Sequence, residues 1–454
     1  MRFIALFFIL LASRAATADD NLIVDGDFEQ RLAGWNEAWS RTPGIRAALD
    51  RQRVRGGSQS VRIEHTGSRD WSFQQARPLD VAPGEIYELT GWVRVEGEGD
   101  AVLCVTLYGP DEDVISWSFG ARRTTSTAGW RRLRSRFVIP PRGGAITPRL
   151  IGNGPSTVWV DDVSVKRTGA LETMRSSDLP DTLSAENSHL RVTLDTADGR
   201  FDVADRRTGR AWTQAAGRGP FVLDARPAED GFDLRLLEPA GALEVEAAIR
   251  LDPQRPELLV ELTGEGEMLD HLRYPAPFLT EAGTLLVMPV NEGISYPVDD
   301  ETLRPMSYYL YGGHGLCMGW WGATDVERGV MAIVETPDDA AVRVPRIDGL
   351  LALVPEWLPQ KGQFGPKRRI RYAFFDQGGY VAMCKRYREH AKSLGRLKTL
   401  AEKRAENPNV DRLIGAVNVW CWQHDPAAVC RELQSLGIRR ILWSHRSSPE
   451  ELRE

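Results

Sequence analysis

Side chains able to do chemistry gather in three parts of this chain. Near the end, Trp420-Cys421-Trp422-Gln423-His424-Asp425 closes the apolar run Leu413–Trp420, and Ser444-His445-Arg446 follows a second run, Ile438–Trp443. Leu286–Tyr296 contains Asn291 and Glu292, and Tyr308–Trp321 contains His314, Trp320 and Trp321. Closer to the start lie Trp71, Trp92, Tyr108 and Arg149, with carboxylates Asp27, Glu29 and Asp161 at either end of that segment. Aromatic rings stack on flat ligands, while Asn, Glu, His and Arg hydrogen-bond hydroxyls. Acid–base work across one bond needs two facing carboxyl groups. Of the two late runs only the first ends in a carboxylate, Asp425, and it precedes Pro426, a pairing that caps and starts a helix. No catalytic residue is therefore assigned. A metal reading of His424, Asp425 and His445 is also open, and no phosphate loop, dinucleotide motif or Ser-His-Asp spacing stands out.

The chain that must position these groups has 454 residues, 42% hydrophobic and 26% charged, with a net charge of −6. That length suits about three domains. The charge gives no electrostatic case for nucleic acid. Met1–Ala18 reads as a secretory leader: Arg2, the apolar run Phe3–Ala12, then Ala16-Thr17-Ala18 as a cleavage site. No later run is long and apolar enough for a membrane helix. The five cysteines are odd in number and widely spaced, which argues against a disulfide framework. Cys384 and Cys430 fall on predicted helix faces, as small core hydrophobes.

Residues 21–167 are filled with short alternating runs, among them Ser60–Glu64, Trp71–Gln75, Ile86–Val95, Ala101–Tyr108, Val114–Phe119, Arg131–Ile139 and Thr157–Val165. Pro and Gly punctuate them and no helical period intervenes, so a β-sandwich or jelly roll is predicted. In Tyr87–Val95, Trp92 shares a face with Glu88, Thr90 and Arg94, which makes it a large ring on a polar surface. Trp71 and Tyr108 are weaker candidates, and Arg149 is a donor to hydroxyls. Trp35 and Trp130 follow glycines and read as core. Arg131, Arg132, Arg134 and Arg136 read as a solvated strand face.

Asn21-Leu22-Ile23-Val24-Asp25-Gly26-Asp27-Phe28-Glu29 before Gly34-Trp35, Pro83-Gly84-Glu85-Ile86-Tyr87-Glu88-Leu89, and Trp159-Val160-Asp161-Asp162-Val163-Ser164-Val165 together resemble the CenC-type carbohydrate-binding jelly rolls of secreted glycosidases. The resemblance implies a glycan cleft on one sheet, lined by Trp92, Trp71, Tyr108 and Arg149. It also implies a structural calcium, held by Asp27, Glu29 and Asp161; no other cofactor is implied.

After a linker, 168–188, strands resume through 189–376, with Asp198-Gly199 as a hairpin turn. Residues 377–408 form a helical connector, in which Tyr380, Cys384, Tyr387, Ala391 and Leu394 make one apolar stripe. Residues 411–454 then read as strand, helix, strand and helix start, the opening of a (β/α) barrel. A full barrel takes roughly 250 residues. The order of these parts, with the Met288–Asp300 run and the Gly378–Lys403 segment, resembles glycoside hydrolase families 101 and 129, where a galactose-mutarotase-like supersandwich packs on a barrel.

The expected fold is mainly β: an N-terminal jelly roll, a β-supersandwich, and an incomplete (β/α) barrel start. The expected protein is a secreted, glycan-acting one, the N-terminal part of a glycoside hydrolase without its catalytic acid pair. Its partner is a polysaccharide or glycan, with no nucleic acid and no membrane after leader cleavage. Asn291, Glu292, His314, Trp320, Trp420, Trp422 and His424 are candidates for a substrate wall, although tight packing around glycines explains Trp320 equally well. The rival reading is a non-catalytic carbohydrate-binding or surface-adhesion protein.

Overall fold

The structure is a computed structural model and describes residues 21–217, 219–311, 315–359, 362–422 and 425–444. The predicted leader, His314, His424 and His445 lie outside these residues. The chain divides into two compact units, one through Met383 and one from Cys384 onward. It is mainly β, as its alternating runs predict.

The first part of the first unit is a sandwich of two antiparallel sheets. One has the strand order Ile45–Asp50, Ser60–His65, Ser156–Ala170, Glu85–Gly97, Arg131–Val138. The other runs Trp39–Ser40, Asp70–Gln74, Ala145–Asn153, Ala101–Tyr108, Val114–Thr124, with Leu79–Asp80 also pairing on Ala145–Asn153. Side chains alternate between the faces of each strand. That parity sends Val61, Ile63, Leu89 and Val93 from one sheet, and Phe73, Leu103, Val105 and Leu150 from the other, into a common core. Each such burial contributes roughly 1.5–3 kcal/mol before the entropy of ordering is set against it.

A nine-stranded antiparallel sheet dominates the rest of the unit, from Phe221–Ala228 at one edge to Ile294–Pro297 at the other, with Arg368–Phe375 at its centre. A four-stranded sheet, Thr182–Glu186 to Ala211–Trp212, and a three-stranded one centred on Ala340–Val344 share its core. The predicted linker is not plain coil: Thr182–Glu186 is a strand paired with Leu190–Asp195. Leu171 is buried with Ile86 and Val138 against Phe221, Leu223 and Leu237, so the two β assemblies share an apolar seam. Across that seam the Val138 N–H donates to the Pro239 carbonyl at 2.8 Å.

The helix Gly379–Ser393 departs from its predicted stripe. Tyr380 is 56% exposed, and Gly379 and Met383 are its buried residues. Met383 fits where Gly322 and Gly329 leave space: a Cβ on these would lie 2.6 Å from its Sδ and 2.4 Å from its Cε. Gly379 itself has φ +48 and passes so close to Val326 that a Cβ would meet its carbonyl oxygen at 1.9 Å. Two glycines of the sheet, rather than the heptad-like stripe, decide which face of this helix turns inward.

In the second unit, Val417–Trp420 and Ile441–Ser444 pair in parallel through the helix Pro426–Ser435. The Asp425 side chain accepts from Ala428 N–H at 2.9 Å, as its N-cap position predicts. The strand is shorter than the apolar run, because Pro408–Arg412 forms a 3-10 turn and Gly415 takes φ +75. Thr399 and Glu402 build a reciprocal capping box on Leu400–Glu406. All five cysteines are free thiols; Cys384 is exposed rather than core, and Cys430 is half-buried. Among the described residues no helix is long and apolar enough to cross a membrane.

Candidate functional site

The sheet that ends in Trp39–Ser40 and Val114–Thr124 carries a cleft of about 610 Å³ on its outer face. Two indoles stand at it, Trp39 at 53% exposure and Trp117 at 64%. Large apolar rings left in water beside a concave surface are binding platforms. Both come from the ends of the sheet order, on strands that pair with Asp70–Gln74 and Ala101–Tyr108.

Arg149 lies in the floor, in register with Gln74 on one side and Cys104 on the other. Its Nη1 donates to Thr106 Oγ1 at 2.8 Å and its Nη2 to Ser72 Oγ at 2.9 Å. Its Nε is buried without a hydrogen-bond partner. Two hydroxyls thus fix the guanidinium plane while the charge has no carboxylate beside it among the described residues. Burial pushes the neighbouring Cys104 thiol up to about 12, so it stays protonated and inert.

Carboxylates also reach the cleft, at Glu37 and Asp70. Asp70 is held by Arg41 in a two-point pair at 2.6 and 2.8 Å. The hydrogen bond from Arg41 holds the Asp70 carboxyl below its usual range. An acid kept ionised in this way is a poor proton donor. Arg41 in turn lies 5.8 Å from the Trp39 ring centre. The arrangement suits stacking and hydrogen bonding to a polyol.

The predicted binding residues divide. Arg149 is in the cleft. Trp71 is only 1% exposed; it lines the floor of the cleft with its ring against Gly152 and leaves little open face for stacking. Trp92 does keep company with polar side chains, but on the other sheet, with the Arg55 guanidinium 4.1 Å above its ring. Tyr108 is half-buried at the end of its strand and does not line the cleft. Trp39 and Trp117 were not singled out by sequence. Their one signal was two tryptophans beside serines, in Trp39-Ser40 and Trp117-Ser118.

Among the described residues no three His, Cys, Asp or Glu side chains form a metal-holding group, and each of the three expected calcium ligands accepts hydrogen bonds. Glu29 is taken up by the backbone N–H of Ser58 at 2.7 Å, that of Gln59 at 3.1 Å, and the Ser58 hydroxyl. Buried Asp161 accepts from Arg55 N–H at 2.9 Å, Gly56 N–H at 3.2 Å and Asp162 N–H at 2.9 Å. Asp27 only receives Glu29 N–H, at 3.4 Å. Calcium wants oxygen lone pairs. Here they accept from N–H donors: the Glu29 bonds tie Ser58 and Gln59 to the N-terminal loop, and the Asp161 bonds tie Arg55 and Gly56 to the strand Ser156–Ala170. Gly57 allows this with φ +65, since a Cβ there would meet Glu29 Oε1 at 2.3 Å.

Of the wall candidates in the first unit, Trp320 is 2% exposed and belongs to the core. Asn291 and Glu292 are exposed in a turn after Leu285–Met288, where Asn291 takes φ +52. In the second unit Trp420 and Trp422 are exposed, with ring centres 6.1 Å apart.

Among curated proteins, the chain is 23% identical over 224 residues to the tRNA(Glu)-specific nuclease WapA of Bacillus subtilis subsp. natto, and 22% identical to the tRNA nuclease WapA of Bacillus subtilis strain 168. Each match covers 45% of this chain and 9% of the relative, so the chain spans under a tenth of their length. Among solved structures, the alpha-N-acetylgalactosaminidase NagBb from Bifidobacterium bifidum is similar at 22% identity and TM-score 0.48, over 58% of this chain and 51% of that one. A family 16 carbohydrate binding module is similar at 18% identity and TM-score 0.25, over 32% of this chain and 99% of that one. Residues 20–155, which include the cleft with Trp39, Trp117 and Arg149, match the family model of a carbohydrate binding domain.

Proposed function

We propose that this chain is a secreted glycan-binding protein whose cleft on the Trp39–Trp117 sheet holds a saccharide. One observation carries the reading: two exposed indoles flank an arginine whose plane is fixed by Ser72 and Thr106. The rings take the apolar faces of sugars, and the remaining N–H groups of Arg149 donate to ring hydroxyls. The carbohydrate binding domain match to residues 20–155 supports it. The nine-stranded assembly and the parallel β–α–β unit support the wider reading, that these parts belong to a glycoside-hydrolase-like protein.

The test is a soluble glycan panel titrated against the full chain and against Trp39→Ala and Trp117→Ala. Binding to at least one glycan, weakened in both variants, is the expected result. A glycan that binds all three proteins equally would show that the saccharide sits elsewhere.

A further inference from the structure

The strand Arg131–Val138 forms one edge of the five-stranded sheet. Its register sets Arg132 opposite Trp92, Arg134 opposite Thr90 and Arg136 opposite Glu88, so these three arginines share one face. Alternate residues on a strand recur about every 7 Å. Beside them lies a groove of about 640 Å³, whose charged lining is Arg122, Arg123, Arg131, Arg132 and Arg134 against one carboxylate, Glu267.

Some of this charge is answered locally. Arg122 pairs with Glu267 at 2.7 Å, Arg123 with Asp100 at 2.6 Å, and Arg134 with Glu88 at 2.6 Å. In each pair one partner is well exposed to solvent, and ion pairs open to water contribute little to stability. Arg131 has only a long bond to Thr124 Oγ1, at 3.5 Å, and Arg132 and Arg136 have no carboxylate partner among the described residues. The patch is therefore a concentrated positive surface on a chain whose net charge is −6. Such an arrangement draws in anions, and its pull weakens with salt.

We propose that this groove binds an acidic polysaccharide, one whose sugars carry carboxylate or sulfate groups. Arginine forks suit both anions. The regular repeat along the strand fits a polymer with a charge on successive units. Among the described residues no aromatic side chain lines the groove, which gives stacked nucleic-acid bases no platform there. The proposal does not depend on the Trp39–Trp117 cleft.

The experiment measures binding of the full chain to dextran sulfate and to polygalacturonate, with neutral dextran as control, at low and high salt. Both acidic polymers should bind, neutral dextran should not, and affinity should fall at least tenfold between about 50 and 300 mM salt. The double variant Arg131→Ser, Arg132→Ser should lose at least tenfold with an unchanged melting temperature. Its Arg→Lys counterpart should retain most of the binding, and Trp117→Ala should bind as wild type. The proposal is overturned if neither polymer binds, if the serine variant binds like wild type, or if Trp117→Ala abolishes binding. Tighter binding to single-stranded RNA or to phosphatidylserine vesicles than to either polymer also overturns it.

Discussion

The guanidinium carbon of Arg149 stands 5.9 Å from the ring centre of Trp117. That places a fixed donor and an exposed stacking surface within one sugar's reach of each other. Truncating a central aromatic anchor commonly costs about 2 kcal/mol, some thirtyfold in Kd. Trp117→Ala and Trp39→Ala should each weaken glycan binding by that order, as read by titration calorimetry. Trp92→Ala should leave it unchanged, because that ring lies on the opposite sheet under Arg55. A loss in Trp92→Ala matching that of Trp117→Ala would return the site to the other sheet.

Glu29 acts as an acceptor that ties Ser58 and Gln59 to the N-terminal loop. Its carboxyl is held below the usual range, first by the Ser58 hydroxyl and then by the Ser58 N–H. A depressed carboxylate contributes stability above its unfolded pKa of about 4.5, and that contribution is lost as pH falls from there through the lower folded value. Glu29→Ala should therefore lower the melting temperature at neutral pH and have less effect in acid. The drop should be the same in calcium and in chelator. A drop seen only with calcium present would mean that this carboxylate binds the ion.

Strand parity was legible in the sequence, and it correctly placed Trp92 among polar neighbours. What parity does not say is which sheet carries the cleft, since that depends on how the two sheets curve around one core. Trp117 shows a second limit. Ile115, Trp117 and Phe119 have the same parity and read as one apolar face, yet Trp117 is exposed and Phe119 is buried. Leu107 pairs with Ser116 but Val105 with Phe119, so an extra residue is inserted between them. A bulge of this kind re-aims the side chains around it. Ala145–Asn153, which carries Arg149, holds Pro148 in its middle and so lacks the look of a central strand. Trp39–Ser40 is two residues long and has no period to read. In the helix Gly379–Ser393 the stripe was visible, but the slot that selects Met383 lies on a distant pair of glycines.

Met383 is fully buried in that slot. Met383→Ala removes its packing and leaves a cavity, for which about 2–4 kcal/mol is the usual cost in a core that cannot close. Urea unfolding of the full chain should show this loss. Met383→Leu, which keeps the volume, should cost less than about 1.5 kcal/mol. Near-equal costs for Ala and Leu would mean that the slot demands the thioether shape rather than filled volume.

Glu238 sits at the seam between the two β assemblies and accepts from Ala240 N–H at 2.8 Å and Gly241 N–H at 2.7 Å. Burial pushes its carboxyl up to about 7, against the pull of those two N–H groups. The folded state then binds a proton more tightly than the unfolded one. Its contribution is most favourable below about pH 4.5 and is lost as pH rises towards 7, by roughly 3 kcal/mol. Stability of wild type relative to Glu238→Gln should therefore fall across that window. A difference between the two proteins that stays flat from pH 4.5 to 7 would show that folding does not raise the Glu238 pKa.

Arg368 and Asp339 form the most enclosed ion pair described, with Nη2 and Oδ2 at 2.5 Å and the arginine side chain 1% exposed. Burial raises the aspartate's pKa and lowers the arginine's, and each partner's charge opposes the shift in the other. The Phe364 ring lies 4.1 Å from the guanidinium carbon, and Pro366 carbonyl accepts from Nη1 at 3.3 Å. The surroundings thus shape a slot for a cation, and among the described residues one carboxylate, Asp339, pairs with it. Removing one partner of a buried pair costs about 3–5 kcal/mol, because the other charge is left uncompensated. Asp339→Ala should lose that much in urea unfolding. The double variant Asp339→Ala with Arg368→Met removes the stranded charge and should recover more than half of the loss. If the double variant is no more stable than Asp339→Ala, the cost lies in lost packing around Asp339 and not in the unpaired arginine.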